Sequence, residues 1–364
     1  MAERLTLQIV TRERLRDPDY AKAWQWPEEV APIGGPMREF LIDHPLAESE
    51  SDPVQIVATT GSQVVGRINL IAGRVQVDGQ SAHVLWGSGL EVAEQYRHTG
   101  AGLMLMLRMG SIHPTVCVVG ISKVVTPLYE KLRWEIFPMR RHVLLRRSRP
   151  VLERLLGSGA ATLARPFAGA LLALHSGLVR AWISVRERGL HVEALEALPA
   201  ELDAQLAAPR APATCLRSSA SVNWLLSHHT GTRRLYLVRG HDSRALGYFI
   251  VTTKFHASAS SEGFKNLTLG SIKDWMVLAP GAIGELDLLL LATRELCRDA
   301  AVDAIEVCLP DDASGPTLRR MGFLAKGDLK FLFKAAPQSP LAAAPFRDRN
   351  NWWFRPADGD SLFF

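Results

Sequence analysis

Residues 90–109 read LEVAEQYRHTGAGLMLMLRM and are the most informative part of this sequence. The apolar run 82–92 that leads into them is typical of a strand, and the run 103–109 is typical of an apolar helix. Between the two, the chain passes through Arg97-x-x-Gly100-x-Gly102. A helix N-terminus carries unpaired N–H groups and a partial positive charge, both of which suit a phosphate. The stretch therefore predicts a phosphate-binding loop between a strand and a helix.

The residue types in this loop favour a pyrophosphate. Gly100 and Gly102 have no side chain that would hold a pyrophosphate away from the backbone amides, and Arg97 adds a cation beside it. A dinucleotide-binding loop of the Rossmann kind is disfavoured, because GxGxxG is absent and no parallel βαβ unit opens the chain. A structural glycine-rich turn is the alternative interpretation.

The loop resembles the coenzyme A loop of the GNAT superfamily of N-acetyltransferases. The family pattern is Gln/Arg-x-x-Gly-x-Gly/Ala after the fourth strand, and residues 97–102 match it at each specified position. The resemblance implies an α/β fold with a mixed, mostly antiparallel sheet flanked by helices. It also implies acetyl-coenzyme A as co-substrate, without a metal. The residues expected to contact it from the strand end and the loop are Leu90, Val92, Arg97, His98, Thr99, Gly100, Ala101 and Gly102.

Residues 118–137, VVGISKVVTPLYEKLRWEIF, resemble the next block of that family. Tyr129 matches the tyrosine that in many members protonates the departing thiolate of coenzyme A, and a phenol can serve as such an acid. A structural tyrosine on an amphipathic helix is the alternative. Ser122 lies where members place a residue that contacts the pantetheine arm. The segment Leu132-Arg133-Trp134 stands where the family usually has Leu-Gly-Phe.

The mechanism implied by the resemblance is direct transfer of the acyl group. An amine attacks the thioester carbonyl, whose oxygen accepts a hydrogen bond from a backbone amide near Val92. The sequence does not single out the base that removes the amine proton. Glu91, Glu94 and His83 are the candidates, and Glu91 stands at the end of the predicted strand.

Two related domains are predicted, because strand and helix patterns recur in the same order in both halves of the chain. We expect an acyl-CoA-binding domain at 1–150, a helical linker at 151–210, a second GNAT-like domain at 211–336 and an aromatic tail at 337–364 that docks on the protein. The second domain's loop is degenerate. Its glycines follow no Arg or Gln at the required spacing, and Pro280 removes an amide donor.

Composition bounds the remaining expectations. The net charge is +5 without a basic face interleaved with aromatics, so nucleic acid is not an expected partner. The four cysteines form no CxxC pair, which indicates neither a zinc site nor a disulfide framework and favours a reducing compartment. The N-terminus does not resemble a signal peptide, and the uncharged run 166–179 is too short to span a membrane. A cytoplasmic location is therefore expected.

The expected acceptor is a small amine, with an amino sugar as one candidate, and the basic net charge mildly favours a neutral or anionic molecule. Two other functions stay open. One is a coenzyme A-binding scaffold protein without turnover. The other is an acyltransferase for lipid-linked substrates that lies on a membrane surface through residues 151–190, where arginines flank apolar faces.

Overall fold

The computed structural model describes residues 4–122, 124–147, 169–170, 174–175, 177–179, 181–185, 189–227, 232–257, 266–310 and 313–359. The strands are β1 Leu5–Thr11, β2 Pro53–Thr60, β3 Gln63–Val77, β4 Gln80–Val92, β5 Thr115–Val119, β6 Glu135–Leu145, β7 His191–Leu195, β8 Ala213–Cys215, β9 Thr232–Arg239, β10 Ala245–His256, β11 Leu267–Val277, β12 Ala304–Leu309, β13 Leu324–Ala335 and β14 Trp352–Trp353.

The α-helices with described bounds are α1 Arg12–Arg16, α2 Gly35–Ile42, α3 Ala101–Ile112, α4 Thr126–Lys131, α5 Asp203–Leu206, α6 Ser219–Ser227, α7 Glu285–Arg298 and α8 Gly315–Arg320. Residues 169–185 are helical where they are described. Short 3-10 helices lie at Tyr20–Ala23, Glu28–Val30, Glu94–Tyr96, Ala200–Leu202, Pro340–Ala342, Ala344–Arg347 and Arg349–Asn351.

The chain folds into two compact units that do not follow its linear order. The first consists of Met1–Phe137, Pro199–Thr230 and Lys330–Phe364, and the second of Pro138–Leu198 and Gly231–Leu329. Each unit therefore includes a strand from the other half of the chain. The first contains the end of β13, and the second contains most of β6. Nothing in the local sequence pattern of these two strands indicates that exchange.

The first unit has a mixed sheet in the order β1-β2-β3-β4-β5-β13. All neighbouring strands are antiparallel except β4 and β5, which run parallel. Helix α3 covers one face, because Leu105, Met106 and Met109 recur at helical spacing and pack with the inward side chains of β2 to β5. This placement brings the N-terminus of α3 to the end of β4.

The second unit repeats this plan in the order β6-β12-β11-β10-β9-β7, with β11 and β12 parallel and the other pairs antiparallel. Helix α7 covers its sheet with an uninterrupted buried run from Leu288 to Ala292. Residues 191–195 lie within the range predicted as a helical linker but form β7, because their backbone pairs with β9.

The aromatic tail docks in the first unit, which confirms that expectation for residues 352–359. Trp352 and Trp353 form β14, which pairs with β8, and β8 in turn pairs with the outer part of β3. Phe354 is fully buried and its ring stacks on Phe331 of β13 with centroids 4.3 Å apart. Burial of this kind removes the aromatic surface of Trp352, Trp353 and Phe354 from solvent.

Candidate functional site

Strand β4 separates from β5 halfway along its length. The two strands pair only from Leu85 to Gly87, opposite Val116 to Val118. Just beyond, the β3–β4 register shifts between Arg67 and Asn69, so that Gly89 and Leu90 form a bulge, and Gly89 has the left-handed φ of 56°. Bulges bend a strand and interrupt its pairing. The bulge thus opens the edge of β4 that would otherwise face β5.

The amide of Val92 lies on this open edge. Ala93 donates its N–H to Val65 O at 2.9 Å, whereas Val92 is the residue opposite Gly66. Because hydrogen-bonded and non-hydrogen-bonded pairs alternate in an antiparallel ladder, the N–H of Val92 points away from β3. A backbone N–H that does not bond to β3 therefore lies at the strand end next to the loop.

The N-terminus of α3 follows this edge. Gly100 is its N-cap residue, with the left-handed φ of 82°, and no side-chain hydrogen bond caps the helix. No acidic residue lies in the first turn. The first-turn amides and the positive end of the helix dipole are therefore available to an anion. A Cβ at Gly100 would meet nothing within 4 Å, whereas one at Gly102 would lie 3.6 Å from the Val92 side chain. Backbone conformation thus requires glycine at the first position only.

The side chains of the loop are exposed at Arg97, His98 and Thr99. The guanidinium Nε of Arg97 lies 3.4 Å from Val92 O, and the Thr99 hydroxyl donates to Tyr96 O at 2.7 Å. Ala101 is buried against the α3 face of the sheet. The loop thus brings the predicted group 90–102 together in space.

Glu91 forms an ion pair with Arg67 on the neighbouring strand. The Nε and Nη2 atoms of Arg67 both donate to Oε2, at 3.0 and 2.8 Å, and the Glu91 side chain is 42% exposed. The pair fixes one carboxylate oxygen. The other two candidate bases are placed differently: Glu94 is exposed, and the His83 Nε2 lies 2.8 Å from Glu48 Oε1.

Tyr129 is a buried residue of the α3 face, with 2% of its surface exposed and its ring edge-on to Trp134 at 5.0 Å. The turn after α4 holds it in place. Trp134 N–H donates to Tyr129 O, and Arg133 N–H donates to Glu130 O. These two bonds and the ring contact make a Schellman motif, with Arg133 at the left-handed φ of 57°. The turn forms although arginine replaces the family's glycine.

Ser122 is exposed in the loop after β5, and its carbonyl accepts a hydrogen bond from the Thr126 hydroxyl at 3.1 Å. Its neighbour at position 123 lies outside the described residues. The structure thus places Ser122 beyond the end of the strand that separates from β4.

The corresponding helix of the second unit is capped by its own carboxylate. Glu285 and Asp287 lie in the first turn of α7, and Asp287 accepts the N–H of Gly284 at 3.0 Å. Glu285 lies 3.4 Å from the indole N–H of Trp275. Two carboxylates at a helix N-terminus supply the charge that the dipole favours and oppose a phosphate. This agrees with the prediction that the second loop is degenerate.

A cavity of about 50 Å³ lies on the opposite face of the first unit's sheet and was not predicted from the sequence. Its walls come from the loop after α2, the middle of β3 and β4, the segment from β8 to α6, and the tail. Residues so far apart in the chain produce no local pattern.

Among the described residues, no group of three or more His, Cys, Asp or Glu side chains could hold a metal ion. No helix formed by the described residues is long and apolar enough to cross a membrane.

No protein-family model matches the sequence, and no curated protein matches it either. Solved structures do match. A GCN5-related N-acetyltransferase from Anabaena variabilis has a TM-score of 0.50 at 15% identity, over 91% of this chain and 73% of that one. Saccharomyces cerevisiae N-myristoyltransferase with bound myristoyl-CoA has a TM-score of 0.52 at 12% identity, over 97% and 84%.

A tandem GNAT protein from the clavulanic acid biosynthesis pathway has a TM-score of 0.50 at 15% identity, and the match covers 92% of this chain and all of that one. Identities this low show the fold alone. The chain has the fold of the GNAT N-acetyltransferases, which confirms the fold class predicted from residues 90–102.

Proposed function

We propose that this protein is an acyl-coenzyme A-dependent N-acyltransferase that moves an acetyl or other short acyl group to an amine of a small molecule. The observation that carries the proposal is the uncapped N-terminus of α3 beside the open edge of β4. An acyl-coenzyme A whose pyrophosphate is bound at the N-terminus of α3 would extend along the open edge of β4. The Val92 N–H points away from β3 at that edge. The fold neighbours, which include an N-myristoyltransferase with bound myristoyl-CoA, support it.

Each residue then has a defined task. The amides of the first turn of α3 and the Arg97 guanidinium bind the pyrophosphate, and charge-assisted hydrogen bonds of this kind are the strong ones. The Val92 N–H donates to the thioester carbonyl oxygen and polarises it. The amine nitrogen forms a bond to that carbon, and the carbon–sulfur bond breaks.

Two proton transfers complete the proposed reaction. Glu91 is the proposed base, acting through Oε1, because both hydrogen bonds from Arg67 go to Oε2. Tyr129 is the proposed acid for the thiolate, with its backbone fixed by the turn after α4. Glu91→Gln and Tyr129→Phe should each lower kcat by 10²- to 10⁴-fold with the KM for acetyl-coenzyme A little changed. Unchanged kcat in either variant removes that residue from the mechanism.

Calorimetry with acetyl-coenzyme A tests the donor site directly. Gly102→Trp should abolish binding, because its side chain would project from the first turn of α3 at a position with room for a Cβ. Gly34→Trp is the matched control, since a Cβ there meets nothing within 4 Å and Gly34 lies outside the site. Arg97→Ala should weaken binding about tenfold, as expected for a hydrogen bond to a charged group. Equal binding by wild type and Gly102→Trp contradicts the proposed site.

Turnover separates an enzyme from a coenzyme A-binding scaffold. Free thiol released from acetyl-coenzyme A should rise on adding an amine acceptor, with amino sugars among the first compounds to try. The four cysteines are buried, so they contribute little background to a thiol reagent. Binding without thiol release for any amine supports the scaffold function.

A second candidate function is acyl transfer at a membrane surface, and one observation favours it. Within 169–185, Leu174, Leu178, Trp182 and Val185 follow one another at helical spacing and are 43–63% exposed. A contiguous apolar stripe with a tryptophan is typical of an interfacial helix. Of the predicted surface segment 151–190, residues 151–168, 171–173, 176, 180 and 186–188 lie outside the described residues. Flotation with anionic vesicles tests this candidate: Leu178→Glu with Val185→Glu should abolish flotation, and a wild-type protein that stays in the soluble fraction contradicts it.

A further inference from the structure

The cavity of the first unit lies on the face of the sheet away from α3. Leu85 packs into the α3 cluster, so the next residue of β4, Trp86, directs its side chain to the opposite face. Trp86 lines the cavity together with His44, Gly73, Trp224, Arg217 and Asp358. Trp86 precedes the β4 bulge by three residues, which places this cavity and the open edge on the same strand.

The indole of Trp86 is held with its N–H at the cavity wall. A Cβ at Gly73 would lie 2.4 Å from Trp86 Nε1, so only glycine lets the indole approach β3 this closely. On the tail side, a Cβ at Gly359 would lie 3.6 Å from the same ring. Trp86 is 5% exposed and lines the cavity, and no hydrogen bond joins its N–H to another of the described residues. A donor at a cavity wall that has no protein acceptor is available to a ligand or to water.

His44 supplies a second unused donor. Its Nδ1 accepts the N–H of Leu46 at 3.1 Å, which leaves the proton on Nε2. The ring packs edge-on against Trp224 at 4.0 Å, and no hydrogen bond joins Nε2 to another of the described residues. Burial lowers the pKa of His44 to about 3, so the ring is neutral at physiological pH.

The acceptor groups near the cavity are already engaged. Asp358 Oδ1 accepts from Arg217, with which it forms a buried ion pair, and Oδ2 accepts the N–H of Arg355 at 2.6 Å. The cavity wall thus offers the N–H donors of Trp86 and His44 beside an arginine–aspartate pair whose carboxylate is occupied. A carboxylate only accepts hydrogen bonds, whereas an amide or hydroxyl would bring a donor of its own.

We propose that this cavity binds the carboxylate group of the acceptor, which makes the acceptor class amines that also carry a carboxylate, such as amino acids. Trp86 and His44 would donate to its two oxygens beside the Arg217 guanidinium. A cavity of about 50 Å³ holds only this end of the molecule, since a single water needs about 10–15 Å³ on the same measure. The role in acyl transfer rests on the proposed function, whereas carboxylate binding by the cavity does not.

Direct binding is tested on the full chain by the indole ¹H–¹⁵N signals of its nine tryptophans, with Trp86→Phe assigning the signal of Trp86. Titration with acetate should shift the Trp86 signal saturably, and acetamide at the same concentrations should not. The Trp26 signal is the internal control, because its indole already donates to Ala21 O at 2.9 Å. His44→Gln should weaken the acetate response. A Trp86 signal that ignores acetate, or responds equally to acetamide, overturns the proposal.

Kinetics test the link to acyl transfer. Linear ω-amino acids of increasing length are compared with the matched alkylamines, at saturating acetyl-coenzyme A. Trp86→Phe should raise the KM for the preferred amino acid about tenfold, the loss expected for a hydrogen bond to a charged group, while the KM for the alkylamine and for acetyl-coenzyme A stay the same. His44→Gln should act in the same direction. Equal effects on both acceptors overturn the role in acceptor binding.

The two levels of the proposal can fail separately. A saturable acetate response without thiol release for any amine contradicts the proposed function and leaves the carboxylate site supported. Thiol release with alkylamines and amino acids alike, without a response of the Trp86 signal to acetate, supports the proposed function and overturns the carboxylate site.

Discussion

Replacing Arg133 with glycine should stabilise this protein, although the change removes a whole side chain. Arg133 has the left-handed φ of 57° at the turn between α4 and β6. This conformation costs a non-glycine residue about 1–2 kcal/mol. Glycine avoids that cost but loses about 0.5–1 kcal/mol of additional chain entropy on folding. The net expectation is a gain of about 0.5–1 kcal/mol, because the Arg133 side chain is exposed and no described residue pairs with it.

Arg108→Gly is the matched control, because it makes the same substitution at an exposed position inside α3. There the backbone is helical, and glycine costs about 1 kcal/mol. The two variants should therefore shift the thermal midpoint in opposite directions, by about 2–4 °C per kcal/mol for a unit of this size. Differential scanning fluorimetry at a fixed scan rate resolves such a difference. A midpoint for Arg133→Gly that is equal to or lower than wild type would refute the argument from backbone conformation.

Three further predictions concern the glycines of the α3 loop, His44 and the four cysteines. Gly102→Ala should raise the thermal midpoint and keep acetyl-coenzyme A binding, because its Cβ has ordinary contacts within a helix, whereas Gly100→Ala should lower both, because of its φ of 82°. The folded-state pKa of His44 is lowered to about 3, so the stability it contributes is complete above pH 6.5 and is lost as pH falls from 6.5 towards 3, by up to about 1.4 kcal/mol per pH unit. His44→Gln should remove that part of the acid-unfolding slope, which denaturant titration across this pH range measures. The native protein should react with a thiol reagent at none of its four cysteines and at all four in denaturant, because all are buried and burial raises the pKa of Cys308 to about 12; a fast-reacting native thiol contradicts this burial.

The sequence was sufficient to predict the strand, loop and helix of the proposed donor site, because these elements are local. One strand end, one loop and one helix N-terminus follow each other within residues 90–102, and each has its own residue signal. The bulge at Gly89 was not predicted, since a glycine before an apolar residue does not distinguish a bulge from a regular strand. The position of the Val92 amide follows from that bulge and from the point where β5 stops pairing, and both depend on the sheet.

The cavity side could not be predicted for the opposite reason. His44, Trp86 and Asp358 are separated by 42 and 272 residues along the chain and are brought together by the pairing of β14 with β8 and of β8 with β3. Each residue has a more ordinary interpretation when it is viewed alone. The aromatic density of the tail indicated docking, but which surface it would cover depended on tertiary structure.

Comparison of the two units shows where the fold constrains the sequence and where it does not. The turn after α8 uses Gly322 at φ 87°, with Phe323 N–H donating to Leu318 O and Gly322 N–H to Arg319 O, which is the same motif that Arg133 completes in the first unit. Both units need this turn, since it sends the chain from a helix back into the sheet. The helix N-termini differ instead: α3 begins without a carboxylate, whereas Asp287 occupies the first turn of α7. Because the backbone plan is the same, the difference lies in which N-terminus is free for an anion, and this is why we assign the donor site to the first unit alone.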